Sequence, residues 1–282
     1  MDLKNLQETE PWEWPGDTPK ALKKALTDGR ASAADRLIAA ELAGDFTVIN
    51  DELAAALMAI LRDPNEPDEL RAQAAVSFGP ALEQADTFEF DDPDDVPISE
   101  EMFHEIQEAL QTVYFDSATP KFVQRRVMEA SVRATADWHP DAIDAAYASG
   151  DREWMLTAVF AMRYVRGFEE RILEALENPD PDIHLEAVQA AGNWGVDAAW
   201  PHVVALVENP QTESTLLLAA IEAVGAIRPA EAGEILTELA DSDDEEIAEA
   251  ATEAMAMAEA AVEFGEDDIE DEEESEDDDW VN

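Results

Sequence analysis

Eight of the seventeen basic residues in this 282-residue chain fall between positions 121 and 171, where they could do chemistry together. Lys121, Arg125, Arg126, Arg133, Arg152, Arg163, Arg166 and Arg171 are balanced there by eight acids, so the window is neutral inside a chain of net charge −51. A guanidinium receives a carboxylate or phosphate in two parallel hydrogen bonds. The plainer role for such arginines is to tie down neighbouring acidic turns. If they form a site, Lys121, Arg125, Arg126, Arg133, Arg163 and Arg166 are its expected members, an exposed patch that takes an acidic or phosphorylated segment.

Other constellations are thinner. No glycine-rich nucleotide loop, nucleophile elbow or paired-histidine zinc motif is present, and cysteine is absent, which removes thiolate chemistry and disulfides. His104 and Glu108 share a helix face, but two ligands do not make a metal site. The Asp-rich run 91–95 lacks the glycine and alternating spacing of a calcium loop. Trp138, Trp154, Trp194 and Trp200 are expected to pack between helices. Trp280 and Val281 end an acidic tail; they either anchor a partner or merely terminate a solubilising run. No enzyme activity and no cofactor or metal are expected.

Charge narrows the partners. The twelve acids of 266–279 leave −39 of the −51 on the rest of the chain. That field opposes nucleic acid and anionic membrane surfaces and favours salt-rich solvent. Five lysines against twelve arginines, with so many acids, fit a halophile's cytoplasmic protein. No hydrophobic leader and no run of eighteen apolar residues occurs, so a cytoplasmic chain is expected.

The elements that must position these residues are helical. Ala34, Leu37, Ile38 and Leu42, then Leu53, Leu57, Ile60 and Leu61, follow the 3.6-residue period. Helices are expected at 18–28, 32–43, 50–62, 99–115, 119–136, 140–149, 151–165 and 168–177, with Pro, Gly and acidic caps between them. A unit then repeats at Asn178-Pro179, Asn209-Pro210 and Asp241-Ser242, in steps of 31 and 32 residues, each followed by a small-residue helix: AVQAAG, AIEAVG and AATEAM. Asp63-Pro64 opens an earlier copy. Gly225 is expected to end its helix in a left-handed conformation. Residues 1–17 read as an extended lead-in, 18–264 as the repeat body, 84–98 as a solvated inserted loop, and 265–282 as a disordered acidic tail.

The segment 178–195, with Asp180, Asp182, Ile183, His184, Ala187, Ala190 and Gly192, resembles a HEAT repeat of the short prokaryotic form related to phycobilin-lyase repeats. His184 stands where that family carries arginine; Leu70-Arg71 in the earlier copy restores it. The resemblance implies an all-α, right-handed solenoid of helix pairs, silent about activity. A non-catalytic protein-interaction scaffold with an unidentified protein partner is the expected function. A lyase-like or maturation accessory holding a cofactor or client, and an acidic nucleic-acid mimic, are the alternatives.

Overall fold

The computed structural model describes residues 2–88, 90 and 95–277, with side chains described as far as Glu263. Among the described residues there are helices and no strand. Two units divide the chain, Met1–Ala142 and Ile143–Asn282.

The first unit contains α1 (Leu3–Gln7), α2 (Thr18–Thr27), α3 (Ala33–Ala43), α4 (Asp51–Arg62), α5 (Asp68–Val76), α6 (Gly79–Phe88), α7 (Glu100–Phe115) and α8 (Lys121–Ser131). Helix α2 packs on α3, α4 on α5 and α7 on α8. The pairs stack so that α2, α4 and α7 touch in one row and α3, α5 and α8 in a second. Neither row could bury its apolar stripe alone. Together they exclude water from Leu22, Leu26, Leu53, Leu57, Leu61, Ile106 and Leu110, each burial contributing about 1.5–3 kcal/mol.

Helix α9 (His139–Ala148) carries the chain into the second unit, which contains α10 (Arg152–Ala161), α11 (Glu169–Leu176), α12 (Pro181–Asn193), α13 (Trp200–Glu208), α14 (Ser214–Ile227), α15 (Pro229–Ala240) and α16 (Glu245–Asp277). Helices α11 and α12, α13 and α14, and α15 and α16 are pairs, while α10, α12, α14 and α16 form a second-helix row. Of the caps expected from the sequence, Ser99 caps α7, whereas Thr18 lies within α2 and Thr119 stands before Pro120 at an α8 start with no side-chain cap. Side chains of Ser32, Asn50, Ser99, Asp151 and Asp180 accept first-turn N–H groups that a helix leaves unpaired.

Several expectations need correction. The lead-in 1–17 is not extended throughout. Asp2 caps α1, Leu6 of α1 is buried, and the Trp14 indole N–H donates to the carbonyls of Leu6 and Thr9 at 3.1 and 2.9 Å. The inserted loop is shorter than 84–98, because α6 runs to Phe88; Val96 and Ile98 at its far end are core residues. Four of its acids, Glu89, Asp91, Asp92 and Asp94, lie outside the described residues. The helix expected over 119–136 stops at Ser131, where Val132 and Ala134 turn into the core. The expected disordered tail falls on residues whose side chains from 264, and backbone from 278, lie outside the described residues.

Gly225 is not a left-handed terminator. It lies inside α14, and a Cβ placed on it would sit 2.8 Å from the Ala254 carbonyl oxygen on α16. Glycine is there because two backbones approach closely. Positive φ occurs instead at Gly150, Gly167 and Gly195, the first two of which are breaks the sequence marks.

Candidate functional site

Each second-row helix carries a recurrent position, its fourth residue. In the first unit these are Arg36, Arg71 and Gln124, and each donates to the carbonyl ten residues earlier: Arg36 Nε to Leu26 at 3.3 Å, Arg71 Nε to Leu61 at 3.0 Å, Gln124 Nε2 to Tyr114 at 2.8 Å. Those carbonyls belong to the penultimate residues of α2, α4 and α7, where a helix has no internal donor left. One side chain thereby closes each helix pair. Arg71 can be buried because its charge stays hydrogen-bonded. In the second unit the same position holds Met155, His184, Leu217 and Ala248.

His184 does something different there. Its Nε2 lies 2.7 Å from Nε2 of His202 on α13, and His202 Nδ1 is 3.6 Å from Glu177. Burial, then the charge of His202, holds the His184 pKa below its ordinary value.

Further arginines tie one pair to the next. Arg36 grips Glu66, in the turn before α5, through two hydrogen bonds of 2.6 and 2.7 Å. Arg152 reaches from α10 to Asp180, at 2.5 and 2.9 Å, and to Asp182 at 2.5 Å, so the N-cap of α12 is also the acceptor of an inter-pair tie. The Arg152 bond keeps the Asp180 carboxyl below its usual range. Arg228 holds Asp197 in the same way at 2.7 Å.

The expected patch residues divide between the units. Lys121, Arg125 and Arg126 lie on α8 and Arg133 just after it; Arg163 and Arg166 follow α10. Arg125 and Arg126 both pair with Glu129, and Arg133 with Glu83. Arg163 donates to Glu186 at 3.2 Å and lies against the rings of Phe160 and Tyr164. An exposed patch fails for Arg125, whose side chain is only 12% exposed, and Arg133 and Arg163 are also half-buried. Lys121, Arg126 and Arg166 are exposed, with Arg126 over Phe122 and Arg166 4.8 Å from the Trp194 ring centre. Trp280 lies outside the described residues.

Sequence reasoning missed the apolar part of this surface. Leu37, Ala72, Val76 and Phe122, on α3, α5 and α8, line one groove of 390 Å³ with Glu69, Gln73 and Arg126. Val76 and Phe122 are 38% and 43% exposed. The signal was available: each is an apolar residue on the polar side of an otherwise regular amphipathic stripe. Of the remaining candidates, His104 is exposed and lies 3.9 Å from Glu100 rather than beside Glu108. Trp200 is buried, whereas Trp138, Trp154 and Trp194 are half-buried, the Trp194 indole N–H donating to the Met162 carbonyl at 2.6 Å. Among the described residues no group of three or more His, Asp or Glu is placed to hold a metal ion, and no helix is long and apolar enough to cross a membrane.

His139 is a buried titratable group with a structural task. Its Nδ1 accepts the Ala136 amide at 2.9 Å, which places the ring proton on Nε2, 3.1 Å from Ser131 Oγ; that hydroxyl in turn donates to the Met128 carbonyl. Burial pushes its pKa down to about 4 from 6.5. Above pH 6.5 folded and unfolded chains are both neutral here. As pH falls from 6.5 to about 4, only the unfolded chain takes the proton, and about 3 kcal/mol of stability is lost. Denaturant titrations of wild type and His139→Asn, whose amide oxygen can still accept the Ala136 N–H, should therefore converge across that window. Parallel pH curves would show that the ring is not held neutral.

Helix pairs stacked in rows and tied by arginines to the next pair define an all-helical repeat protein. Residues 169–256 match the family model for HEAT repeats, and that stretch of the chain is a HEAT array. Comparison with curated protein sequences gives no match. Among solved structures, human deoxyhypusine hydroxylase in complex with glycerol is 18% identical with a TM-score of 0.40, covering 92% of this chain and 88% of its own. The Escherichia coli protein YibA is 17% identical with a TM-score of 0.46, at 87% and 84% coverage. An engineered protein is 18% identical with a TM-score of 0.35, at 87% and 98%.

Proposed function

We propose that this chain is a non-catalytic protein-interaction scaffold, and that the groove across α3, α5 and α8 is a docking surface. The supporting observation is the exposure of Val76 and Phe122 beside Arg126 on adjacent second-row helices. A water-exposed aromatic under a guanidinium is the composition of an interface anchor, since it desolvates a large area and keeps an oriented charge. Stacked helical repeats build extended surfaces that suit partner binding. Lys121 and Arg126 favour a partner segment carrying an acid next to an apolar residue, the ligand class the arginine window suggests.

Affinity capture with the tagged full chain, followed by mass spectrometry, tests the reading. Val76→Ser with Phe122→Ser, which add no charge, should weaken the captured partner at least tenfold, about 1.4 kcal/mol or more, while the thermal melt stays cooperative, since side chains 38% and 43% exposed give the fold only part of their area. Undiminished capture by that variant would remove the groove from the interface. No protein enriched over an equally acidic control chain would remove the scaffold reading itself.

A further inference from the structure

A second groove lies in the second unit. Helices α12, α14 and α16 enclose 520 Å³ between them. Its floor is small and apolar because the row is tightly packed: a Cβ on Gly192 would meet Ala223 at 3.0 Å, and one on Gly225 would meet the Ala254 carbonyl at 2.8 Å. Met257 stands at its edge, 66% exposed. Glu222 on α14 and Glu253 on α16, both exposed, line it, and no cation pairs with either among the described residues. The cation in the lining, Arg163, is already committed to Glu186.

We propose that this groove docks a basic amphipathic segment of a partner protein, with Ala-sized residues against the floor and Lys or Arg side chains at Glu222 and Glu253. Charge decides the sign of the occupant: two unpaired carboxylates on adjacent helices repel an acidic segment and recruit a cationic one. The shallow Ala–Gly floor admits small side chains, and an exposed thioether adapts to the apolar edge of whatever lies beside it. Extended helical segments fill such grooves with residues spaced three and four apart.

The probe is a fluorescent helix-forming peptide of Ala, Leu and Lys, with a Glu-for-Lys counterpart, titrated with the full chain in about 0.5 M KCl to suppress diffuse attraction. The Lys peptide should bind and the Glu peptide should not. Glu222→Lys with Glu253→Lys should weaken the Lys peptide at least tenfold. Glu234→Lys with Glu238→Lys on α15, the same charge change away from the groove, should weaken it less than threefold. Ala226→Trp, which fills the floor from an exposed position without altering charge, should also weaken it tenfold; Met257→Ser replaces it if that variant melts early. Equal losses in the two charge pairs, full binding by the groove-filling variant, or preference for the Glu peptide would overturn the proposal. None of these substitutions touches Val76 or Phe122, so this result is independent of the docking surface in the first unit.

Discussion

Gly225→Ala should destabilise the chain by about 1–3 kcal/mol and Gly225→Val by more, the usual consequence of forcing atoms into packed space. The obstruction is backbone: the Ala254 carbonyl oxygen would be 2.8 Å from the new Cβ and the Ala254 Cβ 3.3 Å from it, and α16 must move bodily to relieve both. Gly44→Ala should behave alike in the first unit, where the new Cβ would lie 2.6 Å from the Ser77 carbonyl oxygen. Gly233→Ala is the contrast. It lies within α15 with nothing inside 4 Å, so alanine should stabilise it by up to about 1 kcal/mol through helix propensity alone. Urea midpoints of the full-length variants check the order. A Gly225→Ala midpoint at or above that of Gly233→Ala would mean that α14 and α16 do not approach as described.

Stability should rise steeply with salt. Net charge is −51, and several of the twelve arginines that could offset it locally, among them Arg36, Arg152 and Arg228, are already engaged by a carboxylate. Surplus acids therefore repel one another at a range that salt controls, about 30 Å at 0.01 M and 3 Å at 1 M. Melting temperature should climb on the order of 10 °C between those limits, corresponding to several kcal/mol in a chain of this length. A truncated chain ending at Gly265 should keep most of the gain, since −39 remains without the twelve tail acids. Equal melting at low and high salt in that shortened chain would show that its carboxylates are spaced widely enough not to interact.

The arginine cluster shows where reading residues in one dimension stops. Of the clustered arginines, Arg126 and Arg166 are exposed, whereas Arg125, Arg133 and Arg163 are half-buried, and Arg133 and Arg163 find their carboxylates 50 and 23 residues away. Whether a guanidinium is a site or a tie depends on which helix packs against it. That information lies in no local window. His184 is the converse case: its departure from the expected arginine is visible in the sequence, but its partner His202 sits eighteen residues on and is met only across α12 and α13.

The helices, the repeat step and the apolar stripes are legible in the residues alone, because each is set by neighbours within a turn or two, through the 3.6-residue period and the conformations of Pro and Gly. Three matters were settled only by packing. Gly225 belongs to a close helix approach rather than a turn, since sequence records that a side chain is absent but not what occupies the space. Leu37, Val76 and Phe122 meet in one groove from three different helix pairs. Packing separates acids already bound by arginine, such as Glu66, Asp180 and Asp197, from others that face solvent, such as Glu222 and Glu253, because ion pairing depends on distances of a few ångströms between residues that the chain separates by thirty.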